Sequence, residues 1–237
     1  MKSCSLRIPL AAMLVFACAP LLGQAPTAAS TPAAASTTPA PAPQTNNSDI
    51  GFSYRLPAEW ETVPEPPPPA PSPEVIANPK LATVKKGTAC VQVAFTAKHG
   101  APASVMVVVA LPFACYGQIM TANDLPDFGA GAAEELKETF DVAADAVQGN
   151  YSLGSHSVWI ERAKGTPKGH PESQYKFEMV CTVLEKGAAC WMAMTADDAG
   201  LQAFEQSTVS LDGEPATALV PASAFPTKPS YGESGVH

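Results

Sequence analysis

"QYKFEMVCTVLEKGAACWMAMT", residues 174–195, consists of two apolar runs separated by a short charged break. Tyr175, Phe177, Met179, Cys181 and Val183 occupy alternate positions before the break, and Cys190, Met192 and Met194 do so after it. That period belongs to a half-buried β-strand. Two hairpin registers are open. A two-residue loop at Glu185–Lys186 sets Cys181 opposite Cys190, Met179 opposite Met192 and Phe177 opposite Met194, with both apolar sets on one face. A three-residue loop with Gly187 left-handed sets Cys181 against Trp191 and sends the two sets to opposite faces. Burial favours the first. It puts the cysteines at a non-hydrogen-bonded pair, where antiparallel strands approach most closely, and predicts a Cys181–Cys190 disulfide.

The other cysteines depend on where the chain resides. Residues 1–23 have the layout of a secretory signal peptide: Lys2 and Arg7, then an apolar run from Ile8 to Leu22. The run is shorter than the roughly 20 residues of a membrane span, and cleavage is expected near Gly23–Gln24 or Ala25. "VFAC" resembles a lipobox that would acylate Cys18, although Phe16 stands where a small residue is usual. Acylation of Cys18, or a retained anchor helix, is the alternative to a free exported chain, and membrane contact is expected only through such an anchor. Removing the signal leaves Cys90, Cys115, Cys181 and Cys190. An even number in an exported chain reads as two disulfides, so Cys90 pairs with Cys115 by elimination. Their spacings are not those of a zinc site, and no CxxC or basic neighbour marks a redox pair.

Composition then divides the chain. Residues 24–47 carry no charge and no aromatic residue, and read as a disordered Ala/Pro/Ser/Thr tether. Residues 64–79 are a Pro-rich insertion suited to polyproline II, either an extended loop or a docking ligand for an aromatic groove. Residues 213–237 read as a flexible C-terminal tail. Between them lies one domain, residues 48–212. The mature chain has 12 basic and 22 acidic residues, a formal charge of −10, and no basic cluster for nucleic acid or an anionic membrane.

Within the domain, "CVQVAFTA" (90–97) alternates with Val91, Val93 and Phe95 on one face, and "SVMVVVAL" (104–111) is apolar on both faces, as in a central strand. Residues 132–147 place Leu136, Phe140, Ala143, Ala144 and Val147 at helical spacing, with Gly149–Asn150 as the stop. "SVWIERA" (157–163) reads as a strand. "DDAGLQAFEQSTVSL" (197–211) reads as a short helix opened by acids. Helices follow runs of adjacent strands, which predicts an α+β fold: a mainly antiparallel sheet of about six strands covered by helices.

Chemistry is sparse. His99 and His170 sit in turns, His156 starts a strand and His237 ends the chain. No GxSxG, HExxH or P-loop occurs. "FGAGAAEE" (128–135) sets Glu134 and Glu135 where a phosphate would lie and reads as a helix lead-in. Asp197–Asp198 suit a helix start better than acid–base work. Trp159, Trp191 and the methionines line either a ligand pocket or, more simply, the core. No catalytic residue, cofactor or metal is expected.

"GFSYRLPAEWE" (51–61), "HSVWIERA" (156–163) and "AFEQSTVSL" (203–211) together resemble the opening strand, mid-domain strand and closing helix of the PsbP-like and LpqN-type families of small extracytoplasmic domains. The resemblance implies an antiparallel sheet between helices and a binding or assembly role. The Pro-rich insertion and the four cysteines depart from that pattern. The expected function is an exported, non-enzymatic binding or accessory domain of the bacterial envelope, meeting an envelope protein or a small ligand. A hydrolase built on His156 and a Pro-rich docking protein are the alternatives.

Overall fold

The computed structural model describes residues 45–64, 90–100, 103–143 and 147–224. The expected signal peptide with Cys18, most of the expected tether and nearly all of the Pro-rich segment lie outside the described residues. The elements are β1 (Thr45–Asn47), β2 (Phe52–Arg55), β3 (Glu61–Val63), β4 (Gln92–His99), β5 (Ser104–Pro112), α1 (Phe113–Tyr116), a 3-10 turn (Ala122–Asp124), α2 (Leu125–Thr139), β6 (Phe140–Val142), β7 (Val147–Leu153), β8 (His156–Pro167), β9 (Tyr175–Val183), β10 (Gly187–Thr195), α3 (Asp198–Glu205), β11 (Thr208–Leu211), β12 (Thr217–Ala218) and a 3-10 turn (Ala222–Ala224).

The strands form two antiparallel sheets. One runs β1-β2-β11-β12; the other, of eight strands, runs β3-β4-β5-β10-β9-β8-β6 with β7 also pairing β8. This corrects the expected fold class of about six strands under helices. The cause is a pairing between distant segments. Phe52–Arg55 pairs with Thr208–Leu211, so the opening strand builds a second sheet instead of joining the first. Local pattern on the closing side agrees. After α3 ends at Glu205, Val209 and Leu211 are buried while Thr208 and Ser210 are not. That is a strand alternation, where a helix running on to Leu211 was expected, and β-branched Thr208 and Val209 favour it.

One face of the large sheet is covered by the small sheet and α3. There Phe52, Tyr54, Trp60, Phe204, Val209 and Leu211 meet Val108, Ile160, Val180 and Trp191 in one buried cluster. The other face is covered by α2, whose Leu125 and Phe128 meet Val107, Trp159, Met179, Met192 and the Cys181–Cys190 bridge. Gly129 is required here because a methyl at that position would overlap the Trp159 ring. Trp159 and Trp191 therefore lie on opposite faces. The sheet's far corner is closed by Leu136, Phe140 and Phe177.

Four further expectations change. The helix starts earlier, at Leu125, and ends at Thr139; Phe140 turns extended, and Gly149–Asn150 fall inside β7 instead of stopping a helix. Ala94 is bulged out of β4, which sends Val93 and Phe95 to opposite faces. Residues 213–224, expected in the flexible tail, contribute β12 and bury Leu219, Val220 and Ala224. Residues 45–47, expected in the tether, pair with β2. The hairpin register is the two-residue one: Cys181 faces Cys190, Met179 faces Met192, and Phe177 faces Met194.

Disulfides join Cys90 to Cys115 and Cys181 to Cys190, with Cα separations of 5.5 and 4.1 Å. The first closes the longer loop, 25 residues against 9 in sequence separation. Chain-entropy arguments then give about 3–4 kcal/mol for Cys90–Cys115 and about 2–3 kcal/mol for Cys181–Cys190. Paired Cys→Ala variants measured by urea unfolding should show losses in that order. The reverse order would mean that buried packing around Cys181 and Cys190 outweighs loop closure.

Candidate functional site

The notable histidine is His156, the first residue of β8 after the Gly154–Ser155 turn. Its Nε2 lies 3.7 Å from an Asp212 oxygen and 3.9 Å from a Glu214 oxygen, with the side chain 12 % exposed. Both acids come from the segment after β11. Ser155 completes the group: its hydroxyl donates to Glu214 Oε1 at 2.5 Å, and its N–H donates to the same carboxylate at 3.2 and 3.3 Å. These donors hold the Glu214 carboxyl below its usual range. Asp212, at φ 45°, accepts from the Glu185 N–H at 2.9 Å and donates its own N–H to the Gly51 carbonyl at 2.7 Å.

Hydroxyl, imidazole and carboxylates thus meet, but in the wrong order for nucleophilic catalysis. A triad needs the imidazole between hydroxyl and acid. Here the Ser155 hydroxyl donates to an acid, and both acids face the same imidazole nitrogen. Among the described residues no three His, Cys, Asp or Glu side chains are placed to hold a metal ion. The cluster fastens the turns at 51, 155, 185 and 212 to one another. Sequence reading singled out His156 and missed its acids: Glu214 fell in the segment read as a tail, and Asp212 is brought to His156 only by the pairing of β11 with β2.

The remaining candidates separate. His99 stacks on Trp60 at 6.2 Å and approaches Glu59 at 3.5 Å, while His170 meets Glu172 at 3.3 Å on the surface. Asp197 caps α3 by accepting from the Gly200 N–H at 2.9 Å, and Asp198 pairs with Lys176. "FGAGAAEE" lies within α2. No protein-family model matches the chain, and no curated protein does.

Two hollows remain. Beneath α2, an apolar recess between Val107, Leu136, Phe177, Met179, Met192 and Met194 has about 40 Å³ of free space. Small-molecule sites run to about 300–1,000 Å³, so these methionines serve as core, and the two tryptophans on opposite faces cannot share a pocket.

The larger hollow is a groove of about 650 Å³ at the bulged end of β4. It is lined by residues 47–50, by 92–94 of β4, by 110 and 112 at the end of β5, by 113–114 at the start of α1, and by Lys186. β3 pairs with β4 only at residues 96–98. Among the described residues, Gln92–Ala94 therefore have no strand on their outer side. Among the described residues the groove thus borders a stretch of β4 that is paired to β5 on its inner side only. No motif marked it in the sequence, because its walls come from four separate segments.

Proposed function

We propose that this chain is an exported, non-enzymatic binding or accessory domain of the bacterial envelope, and that it holds an extended segment of a partner protein in the groove beside Gln92–Ala94. The groove carries this reading. Its volume suits a peptide segment, and the outer side of Gln92–Ala94, which no strand occupies among the described residues, supplies the main-chain hydrogen bonds by which strand addition works. Two disulfides support a location outside the cytoplasm. No helix among the described residues is long and apolar enough to cross a membrane.

Site-specific photocrosslinking in intact envelopes tests the reading. Probes at Gln92 and Ala114 should each yield a discrete adduct with one partner protein, whereas a probe at exposed Lys168, outside the groove lining, should not. Adducts no stronger than at Lys168 would remove the groove as the binding site.

A further inference from the structure

Among the described residues a second open edge lies across the large sheet, at β7. β7 pairs with β8 from Val147↔Arg162 to Leu153↔His156, in unbroken register. The two-residue turn makes Leu153–His156 the hydrogen-bonded closing pair. By alternation, the N–H and C=O groups of Val147, Gly149, Tyr151 and Leu153 point to β8, and those of Gln148, Asn150 and Ser152 point away from the sheet. Among the described residues no strand pairs with that outward side, and Gln148, Asn150 and Ser152 are exposed.

Natural edges are blunted by charge, proline, bulges or shortness. β7, "VQGNYSL", has seven residues and none of these devices. Val147 is 63 % exposed and, with Ile119, stands out as an exposed large hydrophobic among the described residues. A chain of net charge −8 repels its own kind except where the contact is neutral, and this strand is neutral throughout.

We infer that the occupant of this edge is a second copy of the chain, with β7 pairing antiparallel to β7 about a two-fold axis at Asn150. The two eight-stranded sheets then merge into one continuous sheet through an isologous contact. In that register Gln148 faces Ser152 and Asn150 faces its own copy, so the outward N–H and C=O groups of all three residues find partners. On the opposite face Val147 lies across from Leu153 and Gly149 across from Tyr151, and Leu153 and Tyr151 are already packed in their own chain's core. No like charges oppose each other anywhere along the strand. Two short edges bury less than the roughly 1,200–2,000 Å² of a standard interface, so the dimer depends on concentration.

Sedimentation of the mature chain from low-micromolar to millimolar concentration should show monomer converting to dimer. Asn150→Lys and Asn150→Asp should each stay monomeric, because the two-fold axis sets like charges opposite one another. An equimolar mixture of the two should recover the dimer mass. If a charge at this position unfolds the chain, as read by circular dichroism, Asn150→Pro replaces it. Proline is tolerated on an outward-facing edge and deletes the central N–H, with the same expected loss of dimer. A wild-type chain that stays monomeric at millimolar concentration, or a folded variant that dimerises like wild type, overturns the inference.

Discussion

Replacing Arg162 with alanine is expected to lower stability by about 3–5 kcal/mol above neutral pH, the usual cost of stripping the partner from a buried charge. Arg162 on β8 stands directly across from Glu178 on β9. Its Nε donates to Glu178 Oε2 at 2.6 Å, and an Nη donates to Glu205 on α3. The Glu178 side chain has no solvent exposure, and its other oxygen has no hydrogen-bond partner among the described residues. One guanidinium thus serves two carboxyl groups. The Glu178 carboxyl is pushed up to about 8: burial raises it most, Arg162 pulls it down in part, and the Glu205 charge adds to the rise. Tyr151, between β8 and the C-terminal segment, is also pushed up, by burial and by the two glutamates, and donates its hydroxyl to the Leu219 carbonyl at 2.7 Å.

The direction of that shift fixes a pH dependence. With a folded-state value above the unfolded 4.5, the native chain holds the Glu178 proton more tightly. The stability this contributes is complete below 4.5 and is lost as pH climbs through about 8. Glu178→Gln keeps the neutral shape, so it should be flat over that window and more stable than wild type at its alkaline end. Arg162→Ala should cost little in acid, where Glu178 is protonated, and most in alkali. Urea unfolding at intervals across the window reads all three chains. Parallel wild-type and Glu178→Gln profiles would show that Glu178 ionises normally in the folded protein.

What the sequence made legible was local. The register of the Cys181–Cys190 hairpin could be chosen because only one pairing keeps Phe177, Met179, Met192 and Met194 on one face. Ser104–Leu111 declared itself central because both its faces are apolar, and it lies between β4 and β10. What misled was long-range or cryptic. Nothing in "GFSYR" says that its neighbour is "TVSL", more than 150 residues later; the loop-closure entropy of such a pairing leaves no local trace. The bulge at Ala94 inverts a strand face without interrupting its apolar pattern. The groove and the acids around His156 follow from those same distant pairings. The Arg162–Glu178 pair was equally hidden: Glu178 looks like the solvent-facing position of an alternating strand until the second sheet and α3 are laid over it.

Trp191→Ala tests the two-sheet architecture itself, with an expected loss of about 3–5 kcal/mol. Trp191 is 1 % exposed, at the middle of β10. Its ring meets Phe52 edge-on at 5.1 Å and lies 6.3 Å from Tyr54, both residues of β2 in the opposing sheet. It is the largest fully buried side chain bridging the two layers. A single six-strand sheet under helices would have placed residues 51–63 differently, so the contact is specific to the fold described. The indole N–H has no hydrogen-bond partner among the described residues, and leaving a buried donor unpaired costs about 1–3 kcal/mol. Trp191→Phe removes that donor along with part of the ring, so it should cost far less than alanine, on the order of 1 kcal/mol. A double-mutant cycle with Phe52→Ala should return a coupling of about 0.5–1.5 kcal/mol, the usual worth of an edge-on aromatic pair beyond its buried area. Additive losses at the two positions would mean that the small sheet does not rest on β10, however much each residue contributes alone.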